Sequence, residues 1–365
     1  MRTCIGLDIG RSAVKIVATF GDAKKPQRMD LTFKSAFSKA IRLTDAGAIA
    51  RAEMDTVVVN GTSYFVGETA ITQGRDDMIA GLSDGWIFSD QHAALLLASC
   101  KRLTAAGVPN VDGALLCVGL PARLHDSQHK AYAAAISEFV PKAEIKVIPQ
   151  SMGPYYSMLF NDRGLEQPGF ESKSWAIIEI GQFTTDFAMI EQGVATQRAF
   201  GSCDGMRVAA ENLQKEVQTK HGEKISLVEA SDMLIDAQLK SFGERVDVRA
   251  EVKAAVEPLA EIIVNKAQQI FGSDLRTLDG ISLAGGGAVL IRDAIAAKWS
   301  KTASGKSIPP SFITVSDKSR FAVAEGFCRF AQAVELSRSS DAADAAPVLE
   351  SSGDNLRHEA ESVEA

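Results

Sequence analysis

One pattern occurs twice in this chain and restricts its fold more than any other feature. Residues 4–19 read CIGLDIGRSAVKIVAT, and residues 175–190 read WAIIEIGQFTTDFAMI. Each is an apolar strand that ends on an acid, turns through a glycine and returns as a second apolar strand. A bare hairpin has no need of a carboxylate at its turn. A loop that must approach phosphate and a metal ion does. Two copies of one supersecondary unit, about 170 residues apart, predict two domains of similar α/β fold.

The rest of the chain fits that plan. Val57–Val66 reads as a hairpin around Asn60-Gly61, a pair suited to a tight turn because both positions tolerate positive φ. Residues 89–104 predict a helix capped by Ser89 or Asp90. Residues 113–119 and 144–149 predict strands, the first ending at Pro121 and the second followed by Gln150-Ser151-Met152-Gly153-Pro154. In the second half Met206, Ala209, Leu213 and Val217 share one helical face, as do Val252, Val256, Leu259, Ile263 and Ile270. Pro258 predicts a kink or a helix start within that second segment. Gly280–Ala284 predicts a strand running into Gly285-Gly286-Gly287, with a helix from Ala288.

Charge and cysteine usage narrow the function. The 365 residues carry a net charge of −7, which argues against a general nucleic-acid surface. Most of that charge lies beyond Val334, where eight acids face two bases. The folded body is therefore near neutral and compatible with self-association. The tail, poor in large apolar groups, is expected to be disordered. The five cysteines form no CxxC pair, so neither a zinc site nor a disulfide scaffold is indicated. No signal peptide is evident, and no apolar run approaches the roughly 20 residues of a membrane span. A cytoplasmic protein without membrane contact is expected.

Three glycine turns at strand ends are the candidate site: Asp8–Ser12, Glu179–Thr185 and Gly285–Gly287. Each is a weak signal alone. Together, backbone N–H groups and the hydroxyls of Ser12, Thr184 and Thr185 could donate to phosphate oxygens. Glycine allows the close approach. Asp8 and Glu179 could hold Mg²⁺, which takes few carboxylates and keeps its waters. The triple glycine at a helix start suits a ribose or base. No G-x-x-x-x-G-K-[ST] and no G-x-G-x-x-G after a strand occurs, so neither the P-loop nor the Rossmann fingerprint is present. A His125/His129 pair at helical spacing is better read as two surface histidines than as a metal site.

The order of these segments resembles the actin-like ATPases, and within them the plasmid-segregation actins of the ParM/StbA group. The resemblance runs from about Thr3 to Phe330. It is carried by the two hairpins, Val66-Gly67-Glu68, Gly119-Leu120-Pro121, Pro149-Gln150-Ser151 and Leu283-Ala284-Gly285-Gly286-Gly287-Ala288. It implies an actin-like (ribonuclease H-like) two-domain ATPase fold with a central nucleotide cleft. Domain I would comprise 1–170 and 311–334, with a last helix Phe321–Val334 returning to it. Domain II would comprise 174–310, and 335–365 would be the acidic tail.

The resemblance further implies ATP and Mg²⁺ as cofactors. Asp8, Gly10, Arg11, Ser12 and Lys15 would form the first phosphate loop, with Asp8 near the metal and Lys15 near the β-phosphate. Gly181, Gln182 and Thr184 would form the second. Gly285, Gly286, Gly287 and Ala288 would hold adenosine, with Arg207, Asn212 and Lys215 approaching the base or ribose. Gln150, Glu179 and Asp8 would be catalytic. The group usually has Glu where Gln150 stands and Asp where Glu179 stands; Gln can order water but cannot act as a base. The implied activity is ATP hydrolysis coupled to a head-to-tail filament that moves plasmid DNA through a DNA-bound adaptor at a centromere-like site. A non-polymerising ATPase or kinase of the same superfamily, or a scaffold for another cargo, are the alternatives. A kinase would need an acid facing a bound sugar, and no loop of that kind is evident.

Overall fold

The computed structural model describes residues 1–74, 84–301, 305–316 and 318–344. In its first half β1 (Cys4–Ile9), β2 (Ala13–Asp22) and β3 (Lys25–Lys34) form a meander. β4 (Phe37–Lys39), α1 (Ala46–Ala52), β5 (Thr56–Val59), β6 (Thr62–Val66) and α2 (Gly67–Gln73) make a small appended unit. Then follow α3 (Asp90–Ala105), β7 (Leu115–Leu120), α4 (Ala122–Phe139), β8 (Glu144–Pro149) and α5 (Met152–Leu159). The second half begins with β9 (Trp175–Ile180), β10 (Thr184–Glu191), β11 (Val194–Ala195) and β12 (Gly201–Asp204). It continues through α6 (Met206–His221), α7 (Leu227–Asp236), β13 (Gln238–Ser241), β14 (Glu244–Asp247) and α8 (Arg249–Phe271). β15 (Gly280–Ala284), α9 (Ala288–Lys298), β16 (Ile313–Val315) and α10 (Ala322–Asp344) complete it.

The two main sheets have the same topology. One runs β3-β2-β1-β7-β8 and the other β11-β10-β9-β15-β16, with β12 also paired to β10. In each, the leading hairpin is antiparallel and the next two strands join in parallel. Parallel strands need crossovers, and α helices supply them on the sheet faces. The predicted duplication is therefore present in the backbone. The Asn60-Gly61 turn also forms as predicted, with φ of 50° and 76°.

Three large apolar layers hold the molecule, and a small fourth cluster of Ala52, Phe65 and Ala70 holds the appended unit. One lies in the first sheet against α3 and α4, and one in the second sheet against α6, α8 and α9. The third is shared: Met152 and Tyr155 of α5 and Phe327 and Cys328 of α10 lie with Cys4, Val17 and Leu115 of the first sheet and Ile177, Ala188 and Ile190 of the second. α10 thus brings the end of the chain back to its start. It lies so close that a Cβ on Gly6 would sit 2.0 Å from the Ala324 carbonyl oxygen, and one on Gly326 would sit 1.7 Å from that of Gly153.

Two expectations are corrected. α8 does not start at Pro258 but runs through it, because its buried face continues on both sides while Pro258 itself is on the solvent side. The last helix does not stop at Val334 with a disordered tail beyond; α10 continues to Asp344. Arg338 holds that extension by donating to both carboxylate oxygens of Glu144, at 2.8 and 2.7 Å. Arg2 joins the same carboxylate at 2.8 Å. The remaining tail, 345–365, lies outside the described residues.

The glycine contact between α5 and α10 makes a test of the shared layer. Alanine in mid-helix normally gains about 1 kcal/mol over glycine, but overpacking against backbone costs about 1–3 kcal/mol or more. Gly326→Ala is expected to lower the urea-unfolding free energy by about 2 kcal/mol. Gly47→Ala in exposed α1, which meets only flexible side-chain ends, is expected to be neutral or slightly stabilising.

Candidate functional site

The two acid-bearing hairpins meet on one cleft. A cavity of about 480 Å³ lies between them, lined from the first sheet's side by Gly10, Arg11, Ser12, Lys15 and Gln150 and from the second by Glu179, Gly181, Gln182, Thr184 and Arg207. That volume is in the range of small-molecule sites. Both turns are tight: a Cβ on Gly10 would come 2.7 Å from the Ala13 carbonyl oxygen, and one on Gly181 would come 2.9 Å from that of Thr184.

The strand register explains the electrostatics. In the first hairpin Asp8 lies directly opposite Lys15, and the pair closes at 3.0 Å. Gln150 Nε2 donates to the other Asp8 oxygen at 3.2 Å. Asp8 is thus buried between a cation and an amide. In the second hairpin the residue opposite Glu179 is Asp186. Like charges directly across a ladder repel. Thr184 Oγ1 donates to Asp186 at 2.9 Å, which relieves the pair only in part. Burial, then Asp186 and then Asp8 push Glu179 up to about 8, with Lys15 opposing. Asp186 is also raised, by burial, against Thr184 and the Arg123 cation.

Alternation along β10 sorts the hydroxyls. Thr184 and Asp186 face the cleft, whereas Thr185 is fully buried and donates to the Asp204 carbonyl at 2.9 Å. The expectation that Thr185 would donate to phosphate is therefore corrected. The second turn is locked to the start of α6: Met206 N donates to Gly181 O at 2.9 Å and Arg207 N to Gln182 O at 2.7 Å. Arg207 pairs with Glu211 at 2.8 Å, and both line the cavity.

Several expected residues do not line this cavity, Asp8 among them: it lies buried behind Lys15 and Gln150, which do. Asn212 Nδ2 donates to the Ala255 carbonyl of α8 at 3.4 Å, and Lys215 lies further along α6. Gly285, Gly286, Gly287 and Ala288 lie beside the second hairpin but outside the lining. Two of these glycines have packing reasons: a Cβ on Gly285, whose φ is +87°, would lie 2.4 Å from Ile180 O, and one on Gly287 would lie 2.6 Å from Met206. Ala288 is buried, and Gly286 alone faces open space.

Other lining residues were not foreseen. Asp186 stands seven residues after Glu179, as Lys15 stands seven after Asp8, so aligning the two hairpins would have found it. Trp86, His92 and Arg123 had no local signal. Arg11 lies over the Trp86 ring at 5.5 Å, and Trp86 meets His92 edge-on. His92 Nε2 and the Tyr132 hydroxyl share a hydrogen bond of 2.7 Å, and burial pushes His92 down to about 3, keeping it neutral.

The donor set fits a nucleotide with a divalent cation. Four cations, Arg11, Lys15, Arg123 and Arg207, line the cleft beside the acids Glu179 and Asp186, both raised by burial. Among the described residues no cluster of three or more His, Cys, Asp or Glu side chains is placed to hold a metal alone. Mg²⁺ binding through one or two carboxylates plus substrate phosphate needs no such cluster.

Sequence and fold comparisons agree on the class. Residues 6–153 match the family described as actin like proteins, N terminal domain, and residues 177–297 match the archaeal actin homologue MreB-like, C-terminal family. Among solved structures, a 15-stranded ParM filament from Clostridium botulinum superposes with a TM-score of 0.66 at 20% identity, covering 91% of this chain and 99% of that one. The actin-like protein Alp7A gives 0.71 at 14% identity over 93% and 98%. The archaeal actin homologue Ta0583 in complex with ADP gives 0.64 at 18% identity over 91% and 99%. No curated protein matches the sequence significantly. The chain therefore has the actin-like fold, and each of its halves matches a model of an actin-like family. Among the described residues no helix is long and apolar enough to cross a membrane.

Two of the buried titrations have opposite signs. An acid raised from about 4.5 to about 8 holds its proton in the folded state, so stability falls as pH rises through that window. A histidine lowered from 6.5 to about 3 makes stability fall as pH drops through its own window. The two oppose each other up to about pH 6.5 and only the first acts above it. The melting temperature of the ligand-free protein is expected to fall between pH 6.5 and 8. Glu179→Gln is expected to flatten that decline and to be the more stable protein at pH 8; an unchanged slope in the variant would refute the assignment.

Proposed function

We infer that this protein binds Mg-ATP in the cleft, hydrolyses it and assembles head to tail into filaments that segregate plasmid DNA through a DNA-bound adaptor. The observation that carries the reading is the meeting of two glycine-turned hairpins on one cavity, with a buried acid at the end of each leading strand. The ADP complex of Ta0583 and the ParM filament, both similar in fold, support nucleotide binding and self-association.

Arg11, Ser12 and Lys15 would bind phosphate from one side, and Gly181, Gln182 and Thr184 from the other. Asp8 and Glu179 would hold Mg²⁺, whose charge would offset the Glu179–Asp186 repulsion and stabilise negative charge developing on the transferred phosphoryl group. Gln150 would order the attacking water by hydrogen bonding, from a position fixed by its bond to Asp8. Arg207, with Asn212 and Lys215 on the same helix, and Gly285, Gly286, Gly287 and Ala288 would bound the nucleoside end. A cytoplasmic location follows from that role.

Light scattering of the purified protein with Mg-ATP, with phosphate release followed in the same sample, tests the reading. Scattering is expected to rise and then decay as phosphate appears. Gln150→Ala is expected to keep ATP binding and to lose at least tenfold in hydrolysis rate. Lys15→Ala is expected to weaken ATP binding at least tenfold. Tight ATP binding without scattering would favour the non-polymerising or kinase class. The cargo is tested separately: a plasmid carrying this coding sequence with its flanking DNA is expected to be lost more often when Lys15→Ala is introduced.

A further inference from the structure

The hairpin β13–β14 breaks two local rules at once. Its turn is Phe242-Gly243, with φ of +48° and +92°. Asn-Gly is the favoured pair for that turn, and a bulky aromatic in the left-handed region is strained. Phe242 is also fully exposed, at 101%, the most exposed large apolar side chain among the described residues. Two residues back, Lys240 lies directly opposite Arg245, a like-charge cross-strand pair on the solvent face. The other face is the structural one, where buried Leu239 pairs with Val246. Folding needs Leu239 at its place; it gains nothing from an exposed, strained Phe242 flanked by two cations. Rules broken without local compensation mark function.

The same chain carries a complementary feature on its first half. A second cavity, of about 140 Å³, opens between the β5–β6 turn, the start of α3 and the end of α4. Phe88, Leu96, Ile136 and Phe139 give it an apolar floor, and Asp90 and Glu138 line it with acid. Phe88 is itself half exposed. Asp90 accepts hydrogen bonds from the Asn60 amide and the Tyr64 hydroxyl, both neutral, so its charge is not cancelled.

We propose that Phe242 of one copy of this chain inserts into the Phe88–Phe139 cavity of the next, with Lys240 and Arg245 meeting Asp90 and Glu138. The occupant is a second copy because apolar character and charge sign are complementary between two surfaces of one molecule. Knob and cavity are different surfaces of the chain, so a contact that uses one of each leaves a knob and a cavity open for further copies; repeated in that heterologous way, it adds subunits in a line or helix. A large side chain anchored in a desolvated pocket, with a polar rim around it, is the usual make-up of an interface hot spot. The proposal rests on the self-assembly reading above and adds a specific contact to it.

The test uses the full-length protein with Mg-ATP and reads the critical concentration by pelleting, ATP binding by titration and folding by thermal melt. Phe242→Asn suits the turn better, so its melting temperature is expected to hold or rise and its ATP binding to stay unchanged, while the critical concentration rises at least tenfold. Glu138→Lys is expected to act likewise. Lys240→Glu and Arg245→Glu together in one chain with Glu138→Lys are expected to recover assembly that either change alone loses. Wild-type assembly with an unchanged critical concentration in Phe242→Asn overturns the knob while leaving self-assembly intact, and would point to another protein as the hairpin's occupant. Failure of the wild type to pellet at any concentration, with ATP bound, overturns self-assembly and this contact together.

Discussion

Two buried carboxylates at the ends of the two leading strands set the terms for the cleft. Desolvating a charge is costly unless something neutralises it. The first hairpin solves the problem internally, by placing Lys15 across the ladder from Asp8. The second does not, because its ladder places Asp186 across from Glu179. The duplicated unit is thus symmetric in backbone and antisymmetric in charge. What is missing on the second side is a cation or a proton. A proton suffices up to about pH 8, the value to which burial and then the neighbouring acids raise Glu179. A divalent ion carried in with phosphate would take the place of that proton. The pH sensitivity of the cleft and its suitability for a charged ligand come from the same register.

That arrangement depends on the shared apolar layer. α5 follows Gln150 directly, and α10 packs on β1, whose last turn carries Asp8. Backbone contact at Gly6, Gly153 and Gly326 leaves no room for side chains to adjust between these elements. The Asp8–Gln150 hydrogen bond therefore joins two segments that are positioned by close packing rather than by flexible loops. A long side chain can hold a water in one place only if its own backbone is fixed, and here the fixing comes from glycines remote from the cleft.

Much of this was legible in the sequence, for identifiable reasons. Strand–acid–glycine–strand is a local pattern, and local patterns survive in one dimension. Both hairpins, the Asn60-Gly61 turn, the Ser89 cap and the buried face of α6 were of that kind. What was missed depends on long-range neighbours. Trp86, His92 and Arg123 reach the cleft only because the 84–88 turn, α3 and α4 pack beside the first sheet. The extension of α10 to Asp344 is held by Arg338 on Glu144, nearly two hundred residues away in the chain. Thr185 was misread because a one-residue step along a strand reverses the face. The glycines at 285 and 287 were read for a ligand, and their neighbours Ile180 and Met206 give them a structural reason as well.

The duplication also separates what the fold requires from what it carries. Both halves need the hairpin, the two parallel strands and the crossover helices, and in both these are present in the same order. They differ in the units inserted before the third strand of the shared plan. The first half inserts a three-stranded sheet and α1–α3, and the second inserts α6–α8 around a two-stranded hairpin. A two-stranded hairpin is marginal unless it is anchored, and this one is anchored mainly through Leu239 and through Ser241, whose hydroxyl donates to Glu223 at 2.6 Å. Its tip is therefore free of structural duty. A residue in such a place is constrained by contacts made outside the molecule, and an aromatic side chain there, in a backbone conformation it disfavours, is explained by such a contact and not by the fold.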